Sequence, residues 1–215
     1  PPFRRGPPRP AGPAVNGGAA PRAVTGGTGF VGSTLIDLAV RDGVPVRALT
    51  RSEQAPRAGV TWVRGDLGDA AALARLVAGT RAVLHLAGVV NTPDPAGFHA
   101  GNVAGTEAVI GAAQGAGVSR LVFVSSLSAR EPALSAYGRS KFHAEEAVRV
   151  SGLDWTIVRP PAIYGPRDRE MLELFRAARW GVVPMPPAGH ASMIHVTDLA
   201  RLLLALVPGG PDVSQ

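Results

Sequence analysis

The chain has 215 residues, 46% of them hydrophobic, with no cysteine and a formal charge of +6 at neutral pH. That length and apolar content build one domain with a sizeable core rather than two; without thiols there are no disulfides or thiolate metal sites, and His85, His99, His143, His190 and His195 fall at no ligand spacing, so no metal is expected. Arg4, Arg5 and Arg9 lie in the first 21 residues and leave 19 basic against 16 acidic residues behind them, with no basic stripe interleaved with aromatics and no run of 18 apolar residues, so neither a nucleic acid nor a membrane is an expected partner.

Residues 1–21 carry seven prolines and no apolar periodicity, and are expected to be a disordered leader to a domain over 22–215. They hold neither the apolar run of a signal peptide nor the unbroken amphipathic helix of a transit peptide, which makes a cytoplasmic location the default expectation. From residue 22 short apolar runs alternate with helical patterns, the signature of βαβ units and of an α/β, doubly wound parallel sheet of Rossmann type with helices on both faces. Strands are predicted at 22–25, 44–49, 60–63, 82–86, 121–125, 155–158 and 192–196. Helices are predicted at 32–41, after an Asp69 cap to Val77, at 98–114, 137–150 and 169–179, and at 198–206 with Thr197 as its cap.

The run from Val24 to Gly32 follows the first strand and opens the first helix, the setting a dinucleotide fingerprint needs. Gly26 permits the tight turn, Gly29 lets the backbone approach a pyrophosphate, and Gly32 lets the helix pack near the strand, while the helix N-terminus offers unpaired N–H groups to the anion. Thr28, Phe30 and Val31 complete the expected cofactor contacts of that turn. At the end of the second strand, where a carboxylate selects NAD, the chain reads Ala48-Leu49-Thr50-Arg51, and Arg51 suits the 2′-phosphate of NADP.

Among 22 basic residues there is a single lysine, Lys141, and it stands four residues after Tyr137, so both project from one helical face. A free tyrosine titrates near 10, and an adjacent cation favours its phenolate, which suits the pair to general acid–base work. Val124-Ser125-Ser126 ends the preceding strand, where a hydroxyl can bond a reacting oxygen; Ser126 is the first choice and Ser125 the alternative.

With its Thr-Gly-x-x-Gly-x-x-Gly spacing and its Tyr-x-x-x-Lys pair, the chain resembles the extended and atypical short-chain dehydrogenases/reductases, the NAD-dependent epimerase/dehydratase family, from about residue 22 to 207. The stretches Arg159–Gly165 and His195–Ala200 look like the subgroup containing the nucleotide-binding accessory subunit of respiratory complex I. The resemblance implies NADP or NAD as cofactor, with further contacts at Asp66 and Leu67 (adenine), at Leu86, Ala87 and Gly88, at Asn102, and at Pro160 and Ile163 beside the nicotinamide. It also gives Lys141 the nicotinamide ribose and Tyr137 the proton of an oxidoreductase, epimerase or dehydratase working on a nucleotide-sugar or hydroxysteroid-like small molecule. The other reading is a non-catalytic dinucleotide binder, which often lacks the Tyr-Lys pair. Extended members continue into a substrate-covering portion beyond the point where this sequence reaches Gln215, so a truncated C-terminal part is expected, and the helices around 98–114 and 137–150 resemble those that pair relatives into homodimers.

Overall fold

A computed structural model describes residues 20–168, 172, 176, 179–181 and 191–208. The expected leader and most of the helix expected at 169–179 lie outside the described residues. Six parallel strands, β1 (Arg22–Thr25), β2 (Val46–Thr50), β3 (Val60–Arg64), β4 (Ala82–His85), β5 (Arg120–Val124) and β6 (Asp154–Val158), form one sheet in the order β3-β2-β1-β4-β5-β6. That order reverses direction between β1 and β4, and a doubly wound sheet opens a ligand crevice at the carboxyl ends of the strands flanking such a point.

Alternation along the strands decides which helices cover which face. Ala23, Val83, Leu121 and Phe123 point to one side, where they meet Leu73 and Leu76 of α2 (Ala70–Val77), Val109 and Ile110 of α4 (Gly105–Gly115), and Ala144 and Val148 of α5 (Ala136–Arg149). Their neighbours Val24, Leu84, Val122 and Val124 face the other way, onto Leu35 and Ile36 of α1 (Phe30–Arg41) and Leu199 and Leu203 of α6 (Val196–Ala205). A sheet buried on both faces is why these strands read as continuous apolar runs.

Three elements differ from the sequence-based expectation. The helix expected from residue 98 begins as α3 (Pro95–Phe98), capped by Asp94, and passes through a π-helical turn at His99–Ala104 before α4. The last helix is capped by His195, whose ring Nδ1 accepts the Thr197 N–H, and not by Thr197: an imidazole lone pair takes the place of the hydroxyl that sequence reasoning looks for. No strand is expected between residues 158 and 192, yet Ala162–Tyr164 forms β7, paired in parallel with β8 (Met193–His195). Prolines tolerated before a short edge strand mask it, and Ile163 and Ile194 anchor it against the α1/α6 core.

Two buried charges tie elements together. Arg120, 6% exposed, donates to Asp154, to Thr156 and to the Leu206 carbonyl at the end of α6. Glu145 on α5 is fully buried and accepts from Ser125 Oγ at 2.6 Å, from Arg159 Nε at 2.8 Å and from Arg149 Nη2 at 2.7 Å. Burial by itself would push its carboxyl up; the Arg159 guanidinium, with Ser125 and Arg149, overrides that and holds it below the usual carboxylate range. Glu145→Gln leaves Arg159 without its counter-charge. Because that side chain is 33% exposed and can reach water, the expected loss in urea unfolding is about 3 kcal/mol, the low end for a broken buried pair; a loss under about 1 kcal/mol would show that the cluster does not hold β5, β6 and α5 together.

Candidate functional site: a dinucleotide crevice with a buried lysine

The β1–α1 turn is shaped by lack of space. Gly26 sits at φ +71°, and a Cβ there would lie 2.7 Å from the Ala87 nitrogen; a Cβ on Gly32 would lie 2.1 Å from the Gly26 carbonyl oxygen. Neither position admits another residue. Gly29 donates to the Gly26 carbonyl at 3.0 Å and caps α1 in extended conformation with no side-chain hydrogen bond, and the first turn of α1 carries no acidic residue. The opening amides of α1, with Phe30, Val31 and Gly32 in its first turn, are therefore left for an anion that the helix dipole favours. A pyrophosphate fits this cradle, beside the exposed Thr28 and Gly29.

The β4 end forms the floor. A Cβ on Gly88 would meet Asn102 Oδ1 at 2.9 Å and Lys141 Nζ at 3.7 Å, so the segment from Leu86 to Gly88 runs against both expected site residues. Val31, Leu86 and Ile163 turn their side chains into the α1/α6 core and Leu67 into the opposite one, which leaves these four residues their backbone for any ligand. Asp66 is exposed and accepts the Gly68 N–H at 2.8 Å, closing its own turn, and Arg51 stands exposed just past the end of β2.

Ser135 caps α5 by accepting the Gly138 N–H at 2.9 Å, and this fixes where Tyr137 and Lys141 leave the helix. Tyr137 is half-buried, its ring 6.1 Å from that of Phe98. Lys141 is 4% exposed; its ammonium donates to the Val124 carbonyl at 2.9 Å and lies 4.4 Å from the centre of the Phe123 ring. Burial pushes its pKa down to about 8, against a smaller upward pull from Glu145. The two serines left as alternatives face different ways. Ser125 is buried and gives its proton to Glu145, whereas Ser126 lines a cleft of about 500 Å³ with Leu127, Leu134, Ser135, Pro160 and Pro161. Ser126 Oγ accepts the Ser128 N–H at 3.2 Å, a bond that does not use its proton.

Buried polar groups lie beneath the crevice; Asn102 among them is an expected site residue, whereas the side chains that Asn102 and His85 pair with, Ser140, Thr25 and Thr106, were missed by sequence reasoning. Asn102, in the π-helical turn, accepts the Val89 N–H at 2.7 Å and donates from Nδ2 to the Val89 carbonyl and to Ser140 Oγ, both at 2.9 Å. His85 is fully buried between Thr25 and Thr106, with ring nitrogens 2.6 Å and 3.0 Å from their hydroxyls, and burial pushes its pKa down to about 3, with the Lys141 charge adding to the effect. A histidine inside an apolar strand was a visible signal; its partners, 60 and 21 residues away, were not.

Fold order, glycine turn and Tyr-Lys helix define a dinucleotide-binding Rossmann domain. The NAD(P)H-binding family matches residues 26–207, and the chain belongs to it, as a member of the short-chain dehydrogenase/reductase group. It is 43% identical to the ceramide reductase of Caulobacter vibrioides across 85% of this chain and 59% of that enzyme, and 34% identical to the 2-alkyl-3-oxoalkanoate reductase of Stenotrophomonas maltophilia across 86% of this chain and 66% of the relative. Among solved structures, MoeE5 in complex with UDP-glucose and NAD superposes with a TM-score of 0.78 at 27% identity, covering 90% of this chain and 73% of that one. The chain thus spans about three fifths of the ceramide reductase it matches. None of these three is a respiratory accessory subunit, and that expected subgroup gains no support from them. No helix among the described residues is long and apolar enough to cross a membrane.

Lys141 carries a pH signature. Between about 8, its pKa in the fold, and 10.5, its unperturbed value, the unfolded chain binds a proton that the folded chain has released, so folding stability rises with pH through that window. Below about 8 both states are protonated and the burial cost is at its full size. In urea unfolding, the stability advantage of Lys141→Met over the wild type should shrink by up to about 1.4 kcal/mol per pH unit between pH 8.5 and 10. A difference constant across that range would mean that the ammonium is not buried as described.

Proposed function

We propose that the chain is the cofactor-binding and catalytic part of an NAD(P)-dependent reductase that acts on a carbonyl carried by a long apolar chain. One observation carries the reading: the chain's single lysine is buried under the Gly88 segment of the crevice, one helical turn from Tyr137. When bound, NAD(P)H supplies the hydride. Gly26, Gly29 and the first turn of α1 hold the pyrophosphate, and the ammonium of Lys141, already orienting toward the β5 end, holds the ribose and raises the positive potential around Tyr137. Tyr137 would give its phenolic proton to the carbonyl oxygen, and Ser126 would donate a hydrogen bond to the charge developing there.

The substrate class is supported by the cleft beside Ser126, walled by Leu127, Leu134, Pro160 and Pro161, and by the ceramide and alkyl-oxoalkanoate named for the two relatives. A nucleotide sugar is the second reading, on the likeness to MoeE5 bound to UDP-glucose. Exposed Arg51 at the β2 end supports NADP over NAD.

Fluorescence titration with NADPH and NADH, paired with turnover of a long-chain 3-oxo ester, tests this reading. NADPH should bind the more tightly, binding should vanish in Gly29→Asp and persist in Tyr137→Phe, and turnover should fall about 10²–10⁴-fold in Tyr137→Phe. Undiminished turnover in that variant would remove Tyr137 from its role, and a preference for NADH would remove Arg51 from its own.

A further inference from the structure

We infer that Thr106 and His85 are positioning residues that fix the Ala87–Val89 segment against Lys141 through one connected set of buried hydrogen bonds; the inference rests on reading the crevice as the NAD(P)H site.

The direction of each bond follows from the groups themselves. Thr106 donates its hydroxyl proton to the Asn102 carbonyl at 2.6 Å, so toward His85 its oxygen can only accept. His85 therefore carries its proton on Nε2, 3.0 Å away, and Nδ1 is left as a lone pair. Thr25 gives its proton to that lone pair at 2.6 Å, and its oxygen accepts the Ala87 N–H at 3.2 Å. On the far side the Asn102 side chain grips both polar atoms of the Val89 backbone and reaches Ser140 on α5. Both ends of the segment 87–89 are thus tied into one chain of groups running from the β1 turn, through β4, to the helix that carries Lys141.

The arrangement works in one protonation state. A proton on Nδ1 would leave the Thr25 proton without its acceptor and would set the Nε2 lone pair against the Thr106 oxygen, whose own proton is committed to the Asn102 carbonyl. The middle of the segment, Gly88, has no slack, with Asn102 Oδ1 2.9 Å from where its Cβ would stand. The turn that carries Asn102 is π-helical, a geometry helices adopt in single turns and often at functional sites; the Thr106 hydroxyl on its carbonyl holds that turn in place. Thr106 therefore acts on the ligand through the backbone of other residues, touching no ligand itself.

Thr106→Val keeps the shape and deletes both bonds made by the hydroxyl, while Thr106→Ser keeps both. NADPH affinity should fall about tenfold in Thr106→Val, the scale of one lost buried bond with its partner left unsatisfied, and stay within about twofold of wild type in Thr106→Ser. A long-range ¹H–¹⁵N spectrum of the histidines at pH 7 should show His85 as the Nε2–H tautomer in the wild type and in Thr106→Ser, and should lose that preference in Thr106→Val. Wild-type affinity in Thr106→Val, failure of serine to rescue, or an Nδ1–H tautomer in the wild type would overturn the inference alone. A wild-type chain that binds neither dinucleotide would overturn the reading of the crevice and this inference with it.

Discussion

Burying the ammonium of Lys141 is unfavourable, and much of the structure around the crevice follows from holding it there. A cation removed from water needs compensating partners, and Lys141 has the Val124 carbonyl, the face of Phe123 and, one turn further along α5, the carboxylate of Glu145. Each partner belongs to a separate structural commitment. Val124 and Phe123 are the last residues of β5, a strand buried along its whole length, and Glu145 is fixed in turn by Ser125, Arg149 and Arg159. The ammonium is placed by the sheet, and Tyr137 is placed by sharing a helix with it.

The sheet can bear that role because both of its faces are covered. Alternate residues of β1, β4 and β5 enter different cores, one under α2, α4 and α5 and the other under α1 and α6. Any movement of a strand end would disturb packing on two sides at once. The carboxyl ends of β1 and β4, which frame the crevice, are rigid for this reason, and the small groups there, Gly26 and Gly88, are held at separations that leave no room for a methyl group.

What was legible in the sequence is what depends on near neighbours. Gly26, Gly29 and Gly32 announce the turn because backbone geometry and space require glycine within a few residues, and the Tyr137–Lys141 spacing announces a shared helix face. Ser125 and Ser126 could not be separated from sequence, since adjacent residues leave a strand end in opposite directions and only the location of Glu145 tells them apart. Thr106, Ser140 and Arg159 were illegible for a related reason: the partners that give them their roles, His85, Asn102 and Glu145, lie 21, 38 and 14 residues away, and no local pattern encodes those pairings. The β7 strand hid behind two prolines, and the His195 cap hid because an imidazole nitrogen stood where a hydroxyl or carboxylate is sought.

Helix α5 places Tyr137, Lys141, Glu145 and Arg149 at four-residue intervals. Four residues make slightly more than one turn, so the line they trace advances about 40° around the axis at each step. It leads from a phenol, through a buried cation and a buried anion, to a partly exposed cation, alternating in charge from Lys141 onward. A single residue inserted between Tyr137 and Glu145 would rotate everything beyond it by about 100°, turning the carboxylate away from Arg159 or the ammonium away from Val124. The helix cannot change length there: its register is as fixed as that of a coding frame.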